Sequence, residues 1–547
     1  MRLSRRTSTS LMLVLSLFLS YSNTAVSALV PEGTVLAKRQ VLVQGNGAEP
    51  ATLDPQIAGL DTPEDAILQD LFEGLVIIDG NGNVQPGQAF GWQHSEDGKT
   101  WTFNLRPEAR WSDNTQVTAA DFVYAWHRLA DPATAAPSAN LLERIGLINA
   151  PEVIRGKLSP EKLGIQAIDK QTLQIKLEKP LPYFLRLLAM TPLMPAKQKV
   201  LEKYGKSWTQ PEHFISNGPY VLKQWVVNER VEAKKNNFYW NHKNTVIRQV
   251  TYLPIASPGA EYQRFQAGEI NYTNFVPLSH YKAITEKKPE ILHSRGLPGT
   301  YIYSFNTRIK PFDNINVRKA LSLALDRHLI AEAVVGQGQI PAYTVVPDSL
   351  SNYQPLIPAT ARETQLERNK RAKKLLAEAG YSPERPLNVT VLYNTSESHQ
   401  TVALAIASMW KQLGVNVTLQ NMEWNAYRDS KQRGQFQISR SYAIAGYNDP
   451  SALLDRFHSG HPENESGYSN PELDKLLDKA RSMMNPVERQ RLYHQAETIL
   501  SRDMPVIPIY QYVQTHLTSP YLKGLPKAAV INLAARDVYF ISDSSDS

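Results

Sequence analysis

Strand and helix patterns alternate between about residues 300 and 425, and this interleaving constrains the fold more than any other feature of the sequence. Segments 387–391 and 415–419 alternate apolar and polar residues, as half-buried strands do. Between them, the apolar residues of 401–413 recur at helical spacing, and a second helix is predicted over 365–379. This order of elements is typical of an α/β domain.

The chain has no cysteine among its 547 residues, a length that allows several domains. Disulfides, cysteine-ligated metal sites and thiol nucleophiles are therefore excluded. The formal net charge is +7, and without Arg2, Arg5 and Arg6 it is +4. With no run of five basic residues, this charge does not indicate a nucleic-acid partner. Two further strands are predicted over 101–105 and 173–177.

The first 28 residues have the architecture of a secretory signal peptide. Three arginines precede an apolar stretch over 11–19, and small residues follow up to Ala28. The apolar stretch is about half of the roughly 20 residues that a membrane-spanning helix needs. We therefore expect export, cleavage near Ala28 and a periplasmic mature chain that starts at Leu29.

Motifs of catalysis and of cofactor binding are missing from the sequence. It contains neither a G-x-S-x-G nucleophile elbow nor a G-x-x-x-x-G-K-[ST] phosphate-binding loop. His458 and His461 are spaced as a metal-binding pair could be, but no third ligand stands at a recognised spacing, which favours an exposed loop. We expect no catalytic residue, no metal site and no cofactor.

Several short stretches, spread in order from about residue 31 to 539, match the pattern of one known family. They include Thr52-Leu-Asp-Pro55, Asp70-Leu-Phe-Glu-Gly-Leu75, Asn217-Gly-Pro-Tyr220, Val317-Arg-Lys-Ala-Leu-Ser-Leu-Ala-Leu-Asp326 and Tyr447-Asn-Asp-Pro450. In these residues the chain resembles bacterial extracellular solute-binding protein family 5. This family includes the periplasmic oligopeptide-binding and murein-peptide-binding proteins of ABC peptide importers.

The resemblance implies an α/β fold: a three-domain periplasmic binding protein of the class II-like, cluster C type, whose two lobes close on a buried ligand. After the signal peptide (1–28), domain I would comprise residues 29–71, 196–297 and 514–547. Domain II would comprise 72–195 and domain III 298–513. The ligand would then lie between domains I and III.

The resemblance also implies a set of ligand-binding positions. Such proteins bind a peptide as an added strand, so that main-chain hydrogen bonds supply affinity. The edges that match are Ala58-Gly-Leu60 and the strand from Tyr442 to Ile444. His399, Lys431 and Arg440 match basic positions that neutralise carboxylates, and Trp424 and Tyr512 match aromatic residues of the ligand region. A structural salt bridge is the alternative role for Arg440.

Two differences from the family pattern bear on specificity. Gly446 stands where the peptide binders have an aspartate that holds the α-ammonium group of the ligand. Without that carboxylate, a buried ammonium group is costly, and Asp449 is the nearest alternative partner. Gly299 and Ile444 occupy the positions of a disulfide found in some family members, so both partners have been replaced together.

The protein would be a receptor, not an enzyme, that captures peptides, including murein or N-terminally modified peptides. It would deliver them to an inner-membrane ABC permease with its ATPase subunits, and we expect a monomer. Two alternatives stay open: a receptor of the same fold for a nickel chelate, haem or a sugar, and a peptide chaperone or sensor.

Overall fold

The computed structural model describes residues 28–60, 62–350, 353–528 and 532–542. The predicted signal peptide lies outside the described residues except for Ala28. None of the helices in the described part of the chain has the length and apolarity needed to cross a bilayer.

The fold contains eighteen strands within these described ranges. They are β1 (Val41–Gly45), β2 (Val76–Ile78), β3 (Val84–Pro86), β4 (Ala89–His94), β5 (Thr100–Leu105), β6 (Ile165–Ala167), β7 (Thr172–Lys176), β8 (Tyr220–Val226), β9 (Arg230–Lys235), β10 (Gln249–Leu253), β11 (Leu292–Phe305), β12 (Ile340–Pro341), β13 (Leu387–Asn394), β14 (Val415–Met422), β15 (Ile438–Ile444), β16 (Val506–Leu517), β17 (Leu522–Lys523) and β18 (Tyr539–Phe540).

Fifteen α-helices connect these strands in the same described ranges. They are α1 (Pro63–Leu71), α2 (Ala119–Ala130), α3 (Leu141–Arg144), α4 (Ala150–Ile154), α5 (Phe184–Leu187), α6 (Gln198–Tyr204), α7 (Pro258–Gln266), α8 (Leu278–Lys287), α9 (Ile315–Leu323), α10 (Gln365–Glu378), α11 (Glu397–Lys411), α12 (Trp424–Gln432), α13 (Ser451–Leu454), α14 (Pro471–Ser482) and α15 (Pro486–Asp503). The α/β class predicted from the sequence is confirmed.

Two four-stranded sheets form the part of the molecule that we refer to as lobe 1. Their strand orders are β1-β10-β9-β8 and β4-β5-β7-β6. One continuous hydrophobic core runs through both sheets, from Leu42 near the start of the chain to Phe540 near its end, and it includes the fully buried Trp111 and Trp126. The residues assigned from the sequence to domains I and II therefore share a core.

Lobe 2 is built on a six-stranded sheet with the order β12-β16-β11-β15-β13-β14. Strands β13 and β14 are parallel, with Leu387 opposite Val415, and α11 connects them. The sequence pattern predicted this strand–helix–strand unit, and it predicted α10 to within one residue. Trp410 on α11 is fully buried in a core beneath the sheet, and its indole N–H donates to the carbonyl of Leu321.

Strands β11 and β16 run through both lobes. Residues 292–296 of β11 pair with 513–517 of β16 in lobe 1, and residues 300–304 pair with 506–511 in lobe 2. The ladder is interrupted between Gly296 and Thr300. The predicted boundary between domains I and III falls inside this interruption, and the division into three domains stays a prediction.

Candidate functional site

The C-terminal half of β15 has a strand partner on one side only, among the residues that the structure describes. All of β15 pairs with β11, but β13 pairs with it only at Ile438 and Ser439. From Arg440 to Ile444 no strand of the described residues pairs with the second edge, and Ile444 reaches a cavity that Phe275 and Tyr281 also line. Tyr442 and Ile444 are 38% and 53% exposed there, although this is an interior strand of the sheet. An extended segment of another molecule can pair with such an edge.

Two side chains already hydrogen-bond to carbonyl groups of this strand. The hydroxyl of Tyr427 donates to the carbonyl of Arg440, and Nη1 of Arg456 donates to the carbonyl of Tyr442 at 2.7 Å. The N–H and C=O of one residue in a strand point to the same edge. The main-chain groups of Ile444, two residues on, therefore point to the same side as those of Tyr442.

Arg440 lies at the point where β13 and β15 diverge, and it is only 7% exposed. Its guanidinium group donates to the hydroxyl of Tyr512 at 3.2 Å and lies 5.1 Å from the ring centre of Tyr301. Its Nε has no hydrogen-bond partner, and no ion pair joins Arg440 to a carboxylate among the described residues. The structure thus does not show the alternative role of Arg440, a structural salt bridge, in the described part of the chain.

His399 stands beside this cation on the first turn of α11. Its Nδ1 lies 3.4 Å from the hydroxyl of Tyr301. Partial burial, together with the positive charge of Arg440, lowers the pKa of His399 to about 4. The imidazole is therefore neutral at pH 7, and the buried positive charge of this group belongs to Arg440.

Lys431, one of the predicted ligand-binding residues, forms an ion pair within the protein. Its ammonium group forms an ion pair with Glu465 at 2.8 Å and donates to the hydroxyl of Ser441 at 3.1 Å. Burial lowers the pKa of Lys431, and Glu465 opposes that shift. The charge of Lys431 is matched within the protein, so Arg440 is the better-placed group for a ligand carboxylate.

A cavity of about 450 Å³ lies where the uncovered end of β15 meets lobe 1. Ile444 and Tyr512 of the predicted site line it together with Phe275 and Tyr281 of lobe 1. Trp424 lies outside this lining, 40% exposed, and stacks on Tyr427 with ring centres 5.9 Å apart. The structure brings Tyr512 and Ile444 to one cavity and leaves Trp424 at the rim of lobe 2.

A second cavity, of about 250 Å³, lies at the other end of the junction. Leu60 of lobe 1 and Gly446 of lobe 2 line it together, as does Arg144. Asp449, the alternative partner for a ligand ammonium group, does not face this cavity. Both of its oxygens accept hydrogen bonds from Arg489, at 2.5 and 2.7 Å, so its charge is matched within lobe 2.

The segment Ala58-Gly-Leu60 follows a turn and belongs to no strand within the described ranges, so its pairing with a ligand stays a prediction. The carbonyl of Asp54 accepts the N–H groups of both Ile57 and Ala58, and this curls the chain instead of extending it. Ala58 is fully buried in the core of lobe 1, so its side chain does not reach the junction. Of this segment, Leu60 alone lines the cavity shared with Gly446.

No cluster of three His, Asp or Glu side chains suitable for a metal ion occurs within the described ranges. His458, one of the two histidines considered as a metal pair, has its imidazole nitrogens 3.9 Å from Asp474 and 3.4 Å from Asp478. These are contacts with neighbouring helix α14.

Four residues of the site were not identified from the sequence: Tyr301, Tyr427, Glu465 and Arg144. Tyr301 and Arg144 reach the site from elements far away in the chain. Tyr427 lies on α12 together with Lys431, and Glu465 lies in a loop after α13, but neither belongs to a local motif. The register of β11 and β15 places Tyr301 opposite Tyr442, and such pairing could be found only once the strands were aligned.

A family model describing the bacterial extracellular solute-binding proteins of family 5 matches residues 83–465. The periplasmic oligopeptide-binding protein OppA of Salmonella typhimurium is 41% identical over 95% of this chain and 96% of its own. The periplasmic murein peptide-binding protein MppA of Escherichia coli is 44% identical over 94% of this chain and 95% of its own. The probable deoxycholate-binding periplasmic protein YgiS of Escherichia coli is 40% identical over 91% and 92%.

Two solved structures of the murein tripeptide-binding protein MppA match this chain to different degrees. The unliganded open form superposes with a TM-score of 0.90 at 42% identity, covering 94% of this chain and all of that one. Another structure of the Escherichia coli protein, also 42% identical, gives a TM-score of 0.71 over 93% of this chain and all of that one. Since the sequence identity is the same, the difference in TM-score means that the two solved structures differ from each other in shape.

Proposed function

The chain belongs to the bacterial extracellular solute-binding proteins of family 5, and on that basis we propose that it captures peptides at the junction of its lobes for delivery to an ABC importer. Murein peptides and N-terminally modified peptides are the forms that we expect it to favour. The periplasmic peptide-binding relatives, alike over nearly their full length, support this assignment.

One structural observation supports peptide capture above the others: the uncovered edge of β15 begins at a buried arginine. A peptide paired along Tyr442 to Ile444 gains main-chain hydrogen bonds that do not depend on its sequence. Arg440, at the start of that edge, has no acidic partner in the described part of the chain and can pair with a ligand carboxylate. The edge and the cation together fit an extended ligand that ends in a carboxylate.

Lobe closure over the ligand is part of the proposal. The better match to the open form of the relative supports an open arrangement for this chain, and the interrupted ladder between Gly296 and Thr300 is the proposed hinge. Domains I and II would move together because they share a core. The closed form would be the one read by the permease and its ATPase subunits.

We propose that the first 28 residues direct export and are removed near Ala28, so that the mature protein acts in the periplasm as a monomer. It would release its ligand unchanged, without a catalytic step. Mass determination of the exported protein and light scattering of the purified product test cleavage and oligomeric state.

Titration calorimetry with two matched peptides tests the binding proposal. The mature protein, freed of ligand by unfolding and refolding, is titrated with acetyl-trialanine and with its C-terminal amide. We expect the free carboxylate to bind about tenfold more tightly or better, since a charge-assisted hydrogen bond to Arg440 contributes roughly 1.5–3 kcal/mol.

The variant Arg440→Gln should remove this preference, and Arg491→Gln is the matched control. Arg491 is an exposed residue of α15 that pairs with Glu488, so its replacement should leave both affinities unchanged. Failure of both peptides to bind the wild-type protein would refute peptide capture. Equal binding of acid and amide would refute the role of Arg440 alone.

A carboxylate ligand without a peptide backbone is a second candidate, favoured by the likeness to YgiS. Deoxycholate has a carboxylate for Arg440 but no main chain to pair with β15. Competition calorimetry separates the candidates: a peptide receptor binds acetyl-trialanine in the presence of excess deoxycholate. Displacement of the peptide by deoxycholate at lower concentration would favour this second candidate.

A further inference from the structure

We propose that Arg144 makes the cavity beside Gly446 a binding site for a negatively charged group of the ligand, at the end opposite to Arg440. The inference rests on the proposed function, because it assumes that the ligand lies at the junction of the lobes. It assigns a charge to the ligand group that lies nearest Gly446.

The position of Arg144 follows from a short helix packed in lobe 1. Leu141 and Leu142 anchor α3 in the core, and Arg144 ends the helix exposed at the cavity. Its guanidinium carbon lies 5.7 Å from the ring centre of Tyr447, and Tyr447 in turn stacks on Tyr183 of lobe 1 at 4.8 Å. The cation of one lobe thus rests on an aromatic ring of the other.

Gly446 leaves that cation accessible. A Cβ atom built on Gly446 would lie 3.6 Å from Nη2 of Arg144, with no other heavy atom within 4 Å. A longer side chain would extend to the guanidinium group, and an acidic one would pair with it. Glycine provides no such partner, and no hydrogen bond or ion pair joins the side chain of Arg144 to an acid within the described ranges.

The acidic residues of the same cavity are already engaged by the protein. Asp65 accepts from Gln69 and Asn532, Glu73 from Gln88 and Trp240, Asp79 from Gln85 and from the N–H groups of Asn81 and Asn83, and Asp537 pairs with Arg536.

A second arginine lies at this end of the junction. Arg186 also lines the cavity, where Nη1 donates to the carbonyl of Gly82 at 2.9 Å. The charges of Asp449 and Asp79 act on Arg186, and the oxygens of Asp449 are bound by Arg489. Arg144 has no such acidic partner within the described ranges. Arg144 therefore presents its positive charge beside Gly446, where a ligand carboxylate can pair with it and an ammonium group is disfavoured.

Three tripeptides that differ only at the N-terminus test the proposal. Succinyl-trialanine ends in a carboxylate, acetyl-trialanine is neutral there, and trialanine carries an ammonium group. Calorimetry of the wild-type protein should show succinyl-trialanine binding about tenfold more tightly than acetyl-trialanine, with trialanine the weakest.

The ratio of succinyl to acetyl affinity should fall to about one in Arg144→Gln and should be largely kept in Arg144→Lys. Arg155→Gln is the matched control: Arg155 is an exposed arginine of lobe 1, 3.7 Å from Glu143, and its loss should not change the ratio. Gly446→Asp should also abolish the ratio, and Gly446→Asp combined with Arg144→Gln should make trialanine the preferred ligand. Because the ratio compares two affinities of the same variant, a small loss of folded protein does not change it.

A ratio near one in the wild-type protein, or an unchanged ratio in Arg144→Gln, overturns the inference. If acetyl-trialanine binds and its affinity depends on Arg440, such a result leaves the proposed function standing. If none of the three tripeptides binds, the proposed function fails and the inference fails with it.

Discussion

Gly299 and Ile444 face each other directly across β11 and β15. A Cβ atom built on Gly299 would lie only 2.8 Å from Cγ1 of Ile444, so the glycine makes room for the larger side chain opposite. These two positions stand next to the uncovered edge of β15 and close to the interruption in the β11–β16 ladder. Their contact joins the strand that carries the candidate site to a strand that crosses both lobes.

The double variant Gly299→Cys with Ile444→Cys should form a disulfide under oxidising conditions. Residues directly opposite in an antiparallel pair have Cβ atoms about 4.5–5.5 Å apart, and a small shift brings these to disulfide distance. Thiol titration after unfolding should find no free thiol, and the apparent Tm should be higher without reductant than with it. Two titratable thiols in the oxidised sample would contradict the register.

Asp449→Asn should destabilise lobe 2. It removes the charge that matches Arg489 in a buried pair, and leaving one member of such a pair without its partner costs about 3–5 kcal/mol of stability. The apparent Tm should fall by several degrees. Glu488→Gln, which breaks an exposed pair on the same helix, should change it far less. If Asp449 instead held a ligand ammonium group, its loss would lower the affinity for trialanine more than for acetyl-trialanine.

Glu497→Gln should become more stable than the wild-type protein as the pH rises. Burial, opposed by a hydrogen bond from Tyr353, raises the pKa of Glu497 to about 7, against about 4.3 in an unfolded chain. The folded protein holds a proton that the unfolded chain releases in this window. The contribution of this proton to the free energy of unfolding is fully present below about pH 4.3 and is lost as the pH rises through 7.

The glutamine keeps an acceptor for Tyr353 and for the N–H of Leu356, so it resembles the protonated acid. Melts at pH 5 and pH 8 should show the variant gaining up to about 3 kcal/mol relative to wild type between these values. A constant difference in Tm across the range would show that Glu497 does not titrate there.

Ligand binding should shift the emission of Trp424 to shorter wavelength. Its side chain is 40% exposed at the rim of lobe 2, and closure of the lobes would remove it from water. The shift should appear in the difference between wild-type and Trp424→Phe spectra upon addition of acetyl-trialanine. Trp410→Phe is the control, since Trp410 is fully buried without ligand. If the Trp424→Phe variant shows the same ligand-induced shift as the Trp410→Phe variant, the change in emission comes from another tryptophan.

Local patterns in the sequence predicted the regular elements well. Segments 387–391 and 415–419 begin β13 and β14 at the predicted residues, because alternating apolar side chains specify a strand with one buried face. The strands continue to Asn394 and Met422, beyond the clear alternation. Contacts with neighbouring strands determine where β13 and β14 end, and these contacts cannot be read from the sequence.

The candidate site was harder to predict because its charges depend on distant partners. The basic positions were found from the resemblance, but the ion pair of Lys431 with Glu465 joins α12 to a loop after α13. Arg144 lies about 300 residues before Gly446 in the chain and meets it only through the packing of the lobes. Whether a cation is matched or available to a ligand is decided by such contacts.

The uncovered part of β15 also limits the length of ligand backbone that can pair with the protein. From Arg440 to Ile444 the strand has five residues, which at about 3.3 Å per residue extend roughly 16 Å. Only alternate residues point to this edge, and the carbonyls of Arg440 and Tyr442 already accept side-chain hydrogen bonds. A ligand of about four or five residues would span the edge, and additional residues would gain no main-chain hydrogen bond from it. The place where β13 and β15 separate would in this way set the ligand length that gains most from strand pairing.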